Sequence, residues 1–167
     1  MPIKHKEQRV AVLIDVQNMY HSAKNLYGKK VNFAEILKAA VSERKLIRAF
    51  AYVVRTKTGE EKPFFEALSK LGLETRVRDL QEFYGGMKKA DWDVGITIDA
   101  VKTASGVDVI VLVSGDGDFI QLVEYLKNQG KRAEVIAFGK STSSRLREIA
   151  DEFIDLGETP EKFLLKK

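Results

Sequence analysis

The residues best suited to chemistry in this chain are aspartates. Ten Asp are present, and six fall between residues 91 and 118, a stretch with no Glu and one base, Lys102. Asp91, Asp93 and Asp99 come first, then Asp108, and Asp116 and Asp118 sit within the string SGDGDF, Ser114–Phe119. Asp15 lies at the end of the apolar run Arg9–Val16, with Asn18 three residues on. Carboxylates that converge repel one another and resist desolvation, so they stay ionised only around a cation or strong donors. The chain has no Cys and only two His, His5 and His21, which excludes thiolate and His-rich metal sites. An oxygen-only donor set suits a hard divalent ion, Mg²⁺ or Mn²⁺. Such ions activate water and stabilise in-line displacement at phosphorus.

Each of these residues also has a plain structural use. Asp15 could cap a helix, and SGDGDF could be an Asx-type turn capping the next one. Asn18 could orient Asp15 or simply cap, and Asp91 also reads as a cap. Asp93 and Asp99 lie about 120° apart around a straight helix, so both cannot point squarely at one ion. Asp93 suits the helix N-terminus, where the dipole favours an anion. Asp99 lies further in, between Ile98 and Ala100, where a carboxylate without a partner would be expensive. Lys88 and Lys89, beside Gly85-Gly86, could touch phosphates or form a solvated loop. Tyr84 and Trp92 could stack on bases or pack locally. His21 reads as structural.

Positioning these groups requires strands that alternate with helices. Arg9–Val16, Leu46–Val54, Leu73–Arg78, Val107–Val113, Ala133–Phe138 and Phe153–Leu156 read as strands. Residues 18–26, 33–44, 60–71, 92–105, 119–128 and 143–150 read as helices, with Asn32 capping the second. Residues 79–90 form a loop with room for a short hairpin element. Strands that alternate with helices imply an α/β fold, a mainly parallel sheet with helices on both faces. Sites in such folds lie at the carboxyl ends of the strands, near the switch in strand order. Asp15, Asp116 and Asp118 fall at that edge, from two different strands. Asp108 precedes its strand, at the opposite edge, and reads as structural.

The remaining composition narrows the function further. At 167 residues the chain fits one domain, here residues 9–157, with a flexible tail over 1–8 and a charged, loose tail over 158–167. No apolar run approaches the roughly 20 residues of a membrane span, and the N-terminus lacks an apolar signal core, so a cytoplasmic location is expected. The net charge of +4 conceals an asymmetry. Residues 1–90 hold 18 Lys/Arg against 10 Asp/Glu, whereas residues 91–167 hold 10 against 14. A basic half beside an acidic knot suits a polyanion steered toward cations. No G-x-G-x-x-G follows the first strand, and no Walker A lysine motif is present. Haloacid-dehalogenase-type phosphatases need D-x-D after strand one, but Gln17 occupies the second position. The D-x-D of glycosyltransferases is matched only by a short string.

Three segments together resemble the NYN domain of the PIN-like nuclease superfold, in its LabA-like bacterial branch. They are IDVQN (Ile14–Asn18), KKADWDVGITIDA (Lys88–Ala100) and VLVSGDGDFIQLVEYLKNQGKRAEVIAF (Val111–Phe138), and SSRLREIADEFIDL (Ser143–Leu156) extends the likeness. The resemblance implies a Rossmann-like three-layer sandwich with a mainly parallel sheet in PIN-like strand order 3-2-1-4-5, an acidic pocket for Mg²⁺ or Mn²⁺, and RNA as substrate. Asp15 and Asn18 match its strand-one motif, Asp93 and Asp99 its helix motif, and Asp116 and Asp118 its SGDGDF motif. Lys89 fits a basic position loosely, and Trp92 stands where a small apolar residue is usual.

A metal-dependent ribonuclease is therefore expected. Asp15, Asp93, Asp116 and Asp118 would hold the metal, and Asp99 would join them as a catalytic residue, directly or through water. Asn18, Ser114, Lys88 and Lys89 would bind substrate, and Arg55 and Arg76 would help to steer it. A regulatory module that binds RNA or protein without turnover is the alternative, and a small-molecule phosphatase is a weaker one. The sequence leaves room for a homodimer through the first helix or the C-terminal tail.

Overall fold

The computed structural model describes residues 4–82, 88–89 and 91–166, and of residues 81, 82, 88 and 89 only the backbone. The chain runs β1 (Arg9–Asp15), α1 (Val16–Tyr27), α2 (Phe33–Val41), β2 (Lys45–Arg55), α3 (Lys62–Lys70) and β3 (Glu74–Asp79). A two-residue pair follows, β4 (Gln81–Glu82) and β5 (Lys88–Lys89), then α4 (Asp93–Ala104) and β6 (Val109–Val113). The rest is α5 (Ile120–Asn128), β7 (Arg132–Ala137), α6 (Ser144–Ile149), β8 (Glu152–Asp155) and α7 (Pro160–Phe163).

Six strands form one parallel sheet in the order β3-β2-β1-β6-β7-β8. Counted within the sheet this is 3-2-1-4-5-6, so the expected order holds and β8 extends it at one edge. β4 and β5 pair antiparallel, as the hairpin element between residues 79 and 90. Tyr84 lies outside the described residues.

The central strands are apolar on both faces because helices cover both. Val10, Val12 and Ile14 of β1, with Val109, Val111 and Val113 of β6, pack in one layer with Met19 and Ile36 of α1 and α2. Ala11 and Leu13, with Ile110 and Leu112, pack in the other with Ile96 of α4 and Val123 of α5. The order reverses between β1 and β6, so their carboxyl ends border a natural crevice. Asp15 closes β1 at that point, and Ser114 follows β6 directly.

Three local expectations change. α1 starts at Val16 rather than residue 18, because the Asp15 carboxylate caps it by accepting from Asn18 N at 3.2 Å. α2 stops at Val41 rather than 44, because Ser42 and Glu43 turn to φ 50° and 58°. The segment after Gly157, expected to be loose, is packed. Phe163 and Leu164 are buried, Asn32 N donates to Phe163 O at 2.8 Å, and Leu165 N donates to Lys30 O at 2.8 Å. Its two buried apolar residues decide this despite the surrounding charge. Residues 4–8 also touch the body, through Glu7–Lys45 at 2.8 Å and Lys4–Glu152 at 3.2 Å. Among the described residues, no helix is long and apolar enough to cross a membrane.

Candidate metal centre

The crevice beyond β1 and β6 is an acidic groove of about 390 Å³, walled by Asp15, Asp91, Asp93 and Asp116 among others. Asp93 opens α4, where the unpaired amides of the first turn favour an anion. Asp116 and Asp118 come from the loop after β6. One carboxylate oxygen from each of Asp93, Asp116 and Asp118 lies within 4.8 Å of the other two. Asp93 and Asp116 are partly buried and Asp118 is exposed, so the trio opens to solvent on one side.

The loop that delivers the last two is held by hydrogen bonds. Asp116 Oδ1 accepts from Asp118 N at 2.9 Å, which is the Asx turn considered above. The turn and site readings are thus compatible: the turn aims Asp118 at Asp93. Asn18 Oδ1 accepts from Gly115 N at 2.9 Å, tying α1 to the loop. Gly115 sits where a Cβ would come within 2.7 Å of Thr142 Oγ1, so the loop needs glycine to pass.

Asp15 stands beside the trio rather than in it. Its Oδ1 caps α1 and its Oδ2 accepts from Ser114 Oγ at 3.1 Å. Ser114 is fully buried, and its Oγ also accepts from Asp116 N at 3.2 Å. Cap and groove wall are therefore one residue. Burial pushes the Asp15 carboxyl up to about 6; the donors from Asn18 and Ser114 pull it down, and the charges of Asp116 and Asp91 push it up again. Asp93 is pushed up to about 7, first by burial, then by its hydrogen bond with Asp118 and the charges of Asp116, Asp91 and Asp118. A group of carboxylates that strains against its own ionisation is a natural receptor for a cation. The all-oxygen donor set fits a hard divalent ion, with Asp93, Asp116 and Asp118 as the residues to hold it.

Asp99 is not brought into this group. Its Oδ2 accepts from Tyr52 Oη at 2.8 Å and pairs with Arg76 Nε at 3.1 Å. The partner that a carboxylate in this position needs comes from β2 and β3. Trp92 packs against Tyr52 with centroids 5.3 Å apart, donates Nε1–H to Val53 O at 3.0 Å, and carries Arg78 over its ring. It is mostly a structural wedge, with an edge on the groove. The backbone of Lys88 and Lys89 forms β5; their side chains lie outside what is described. Arg55 is engaged by Asp79 at 2.8 Å, and Asp108 pairs with Arg9 at 3.1 Å, at the opposite edge. Sequence reasoning missed Asp91 as a groove wall, along with Ser22 and Asn25. Their spacing from Asn18, four and seven residues, was the available signal, since it marks one helix face.

Comparisons with known proteins bear on the family and the fold. The NYN domain profile matches residues 9–157. "Low amplitude and bright protein LabA" of Synechococcus elongatus is 30% identical over 92% of this chain and 86% of its own length. An uncharacterised protein of Methanocaldococcus jannaschii is 27% identical over 91% of this chain, which spans 57% of that protein. A crystal structure of a protein of unknown function from Vibrio parahaemolyticus superposes with a TM-score of 0.87 at 32% identity, covering 98% of this chain and all of the other. The chain belongs to the NYN domain family, a PIN-like nuclease family, and is similar to its LabA-like members.

Proposed function

We infer that this protein is a divalent-metal-dependent ribonuclease that hydrolyses phosphodiester bonds. The observation that carries the reading is the convergence of Asp93, Asp116 and Asp118 within 4.8 Å at the strand-order switch. Mg²⁺ or Mn²⁺, when bound there, supplies water activation and charge stabilisation at phosphorus. Asp93, Asp116 and Asp118 hold the ion. Asp15 presents a carboxylate in the same groove, fixed in orientation by Asn18 N and Ser114 Oγ. Asn18 and Ser114 brace the loop that carries Asp116, and Asp99 steadies α4 through Tyr52 and Arg76. The excess of bases in residues 1–90 draws the RNA backbone toward the acidic edge. A cytoplasmic location, where RNA is available, accompanies this reading.

The test is cleavage of labelled single-stranded RNA with Mn²⁺, Mg²⁺ or EDTA, run beside Asp116→Asn. Metal-dependent products that vanish in the variant support the reading. RNA binding that survives EDTA without products would instead identify a binding module. Hydrolysis of a phosphomonoester but not of RNA would indicate a phosphatase.

A further inference from the structure

A second cleft opens on the other side of α1 from the acidic groove. It has a volume of about 340 Å³ and lies between α1, the carboxyl end of β2 and the start of α3. Gln17 and His21 line both depressions, so a ridge of two side chains separates them. The walls of the second cleft are aromatic: Tyr20 from α1, and Phe64 and Phe65 from α3. Tyr20 is 43% exposed and Phe64 38% exposed, so both rings are open to a ligand. The floor carries one charged acceptor, Glu61, held by Thr56 N at 3.3 Å and Thr56 Oγ1 at 2.6 Å. The Thr56 hydroxyl keeps that carboxyl below the ordinary carboxylate range, so it remains an acceptor at neutral pH.

We propose that this cleft binds a nucleobase of the RNA strand whose backbone lies in the acidic groove, and that it favours a base with an exocyclic amino group. The proposal rests on the ribonuclease reading for the identity of the strand. Exposed rings beside a polar anchor offer a base both a stacking face and an edge contact. A mostly apolar cleft with a few polar groups is the usual form of a site for a flat ligand. Continuity across Gln17 and His21 makes the occupant part of the same strand. Glu61 accepts hydrogen bonds only, so it rewards the amino group of cytosine over uracil, a base of the same size whose one edge donor, N3–H, is flanked by two carbonyl oxygens that repel a carboxylate.

The test measures equilibrium binding of short oligo(C), oligo(U) and an abasic ribose-phosphate strand. It uses the full chain in the Asp116→Asn background, with a parallel cleavage assay in the wild-type background. Tyr20→Ala and Phe64→Ala should each weaken oligo(C) binding about tenfold, as expected for a lost stacking partner. Both should leave the abasic strand unaffected. Tyr20→Phe keeps the ring and should bind as the parent does. Oligo(C) should bind more tightly than oligo(U), and Glu61→Gln should narrow that gap. In cleavage, KM should rise with kcat within about twofold. Melting curves establish that each variant is folded. Folded alanine variants with unchanged oligo(C) affinity overturn the cleft proposal and leave the acidic centre's cleavage standing. Equal losses for oligo(C) and the abasic strand also overturn it, because they mark a backbone contact. Base-dependent losses in a protein that cuts no RNA support the cleft and sink the ribonuclease reading alone.

Discussion

Ser114 donates its Oγ–H to Asp15 Oδ2 at 3.1 Å, joining the residue that ends β1 to the one that follows β6. The two lie 99 positions apart in the chain. The bond closes the strand-order switch and holds Asp15 beside Asp116. Ser114→Ala removes one of the two donors that favour the ionised carboxylate, so the Asp15 carboxyl moves further up from about 6. Metal-dependent RNA cleavage should fall roughly 10- to 100-fold, the usual cost of losing an orienting partner. The acidic limb of the rate profile should shift to higher pH. A pH series of kcat/KM on both proteins checks this, and an unshifted limb would count against Asp15 as a working carboxylate.

Asp99 gives the sharpest contrast within the aspartate set. Its Oδ2 is engaged by Tyr52 and Arg76, away from the Asp93–Asp116–Asp118 trio. Asp99→Asn should leave Mn²⁺ affinity within about twofold while lowering stability by about 1–2 kcal/mol for a weakened charged hydrogen bond. Asp116→Asn should do the reverse, weakening Mn²⁺ by about tenfold or more. Calorimetric titration and thermal melts on the two variants separate the roles. A large loss of Mn²⁺ affinity in Asp99→Asn would restore it to the ligand set.

These two aspartates also show where sequence is legible and where it is not. Asp116 and Asp118 follow the most β-like segment, so the strand-edge rule alone places them at the crevice. Both apolar layers follow from the same runs of Val, Ile and Leu, whereas the strand order came with the family resemblance, because a run of apolar residues does not name its neighbour in a sheet. Asp99 resisted because its partners, Tyr52 and Arg76, lie 47 and 23 positions away on other elements. A side chain's direction around a helix narrows its options, but long-range donors choose among them. Asp15 resisted differently: capping and groove-lining were weighed as rivals, although its two oxygens serve both at once. The packed C-terminus escaped because two apolar residues, Phe163 and Leu164, sit within a charged stretch whose average hid them.

The raised carboxyls fix a pH dependence of stability with a definite sign. Asp15 at about 6 and Asp93 at about 7 both lie above the usual 3.9 of an unfolded Asp. The folded state therefore binds more protons than the unfolded one between those values. Their contribution is fully present below about pH 4 and is lost as pH rises through 6 and 7. For Asp15, nearly buried, the loss is on the order of 3 kcal/mol. Asp91, Asp116 and Asp118 face Asp93 and add to the repulsion at high pH. A divalent ion should reverse this, adding about 2.7 kcal/mol when present at a hundred times its Kd. Melts at pH 5 and pH 8 with EDTA or Mn²⁺ should show a gain from Mn²⁺ mainly at pH 8. Asp93→Asn should be more stable than the parent at pH 8 in EDTA and should lose the gain.

Stability at the far edge of the sheet should be separable from the acidic centre. Glu134 of β7 is buried and accepts from Arg44 Nη1 and Nη2 at 2.8 Å each and from Arg132 Nε at 2.6 Å. Burial pushes its carboxyl up, but the hydrogen bonds from Arg44 and Arg132 outweigh it and hold the group below its ordinary value. Arg132 reaches onward to Glu152 of β8 at 3.2 Å, so the network ties the sheet's last strand to α2's C-terminal turn. Glu134→Ala takes the buried carboxylate from the Arg44 guanidinium, while Arg132 keeps Glu152, and should cost about 3–5 kcal/mol. Urea titration reads that loss as a lower midpoint with an unchanged slope. Mn²⁺ affinity, measured where the variant remains folded, should stay within about twofold of the parent, because the network sits at the amino end of β7 and the trio at the carboxyl edge. A parallel loss of metal affinity in the folded variant would mean that the two ends of the sheet are mechanically coupled.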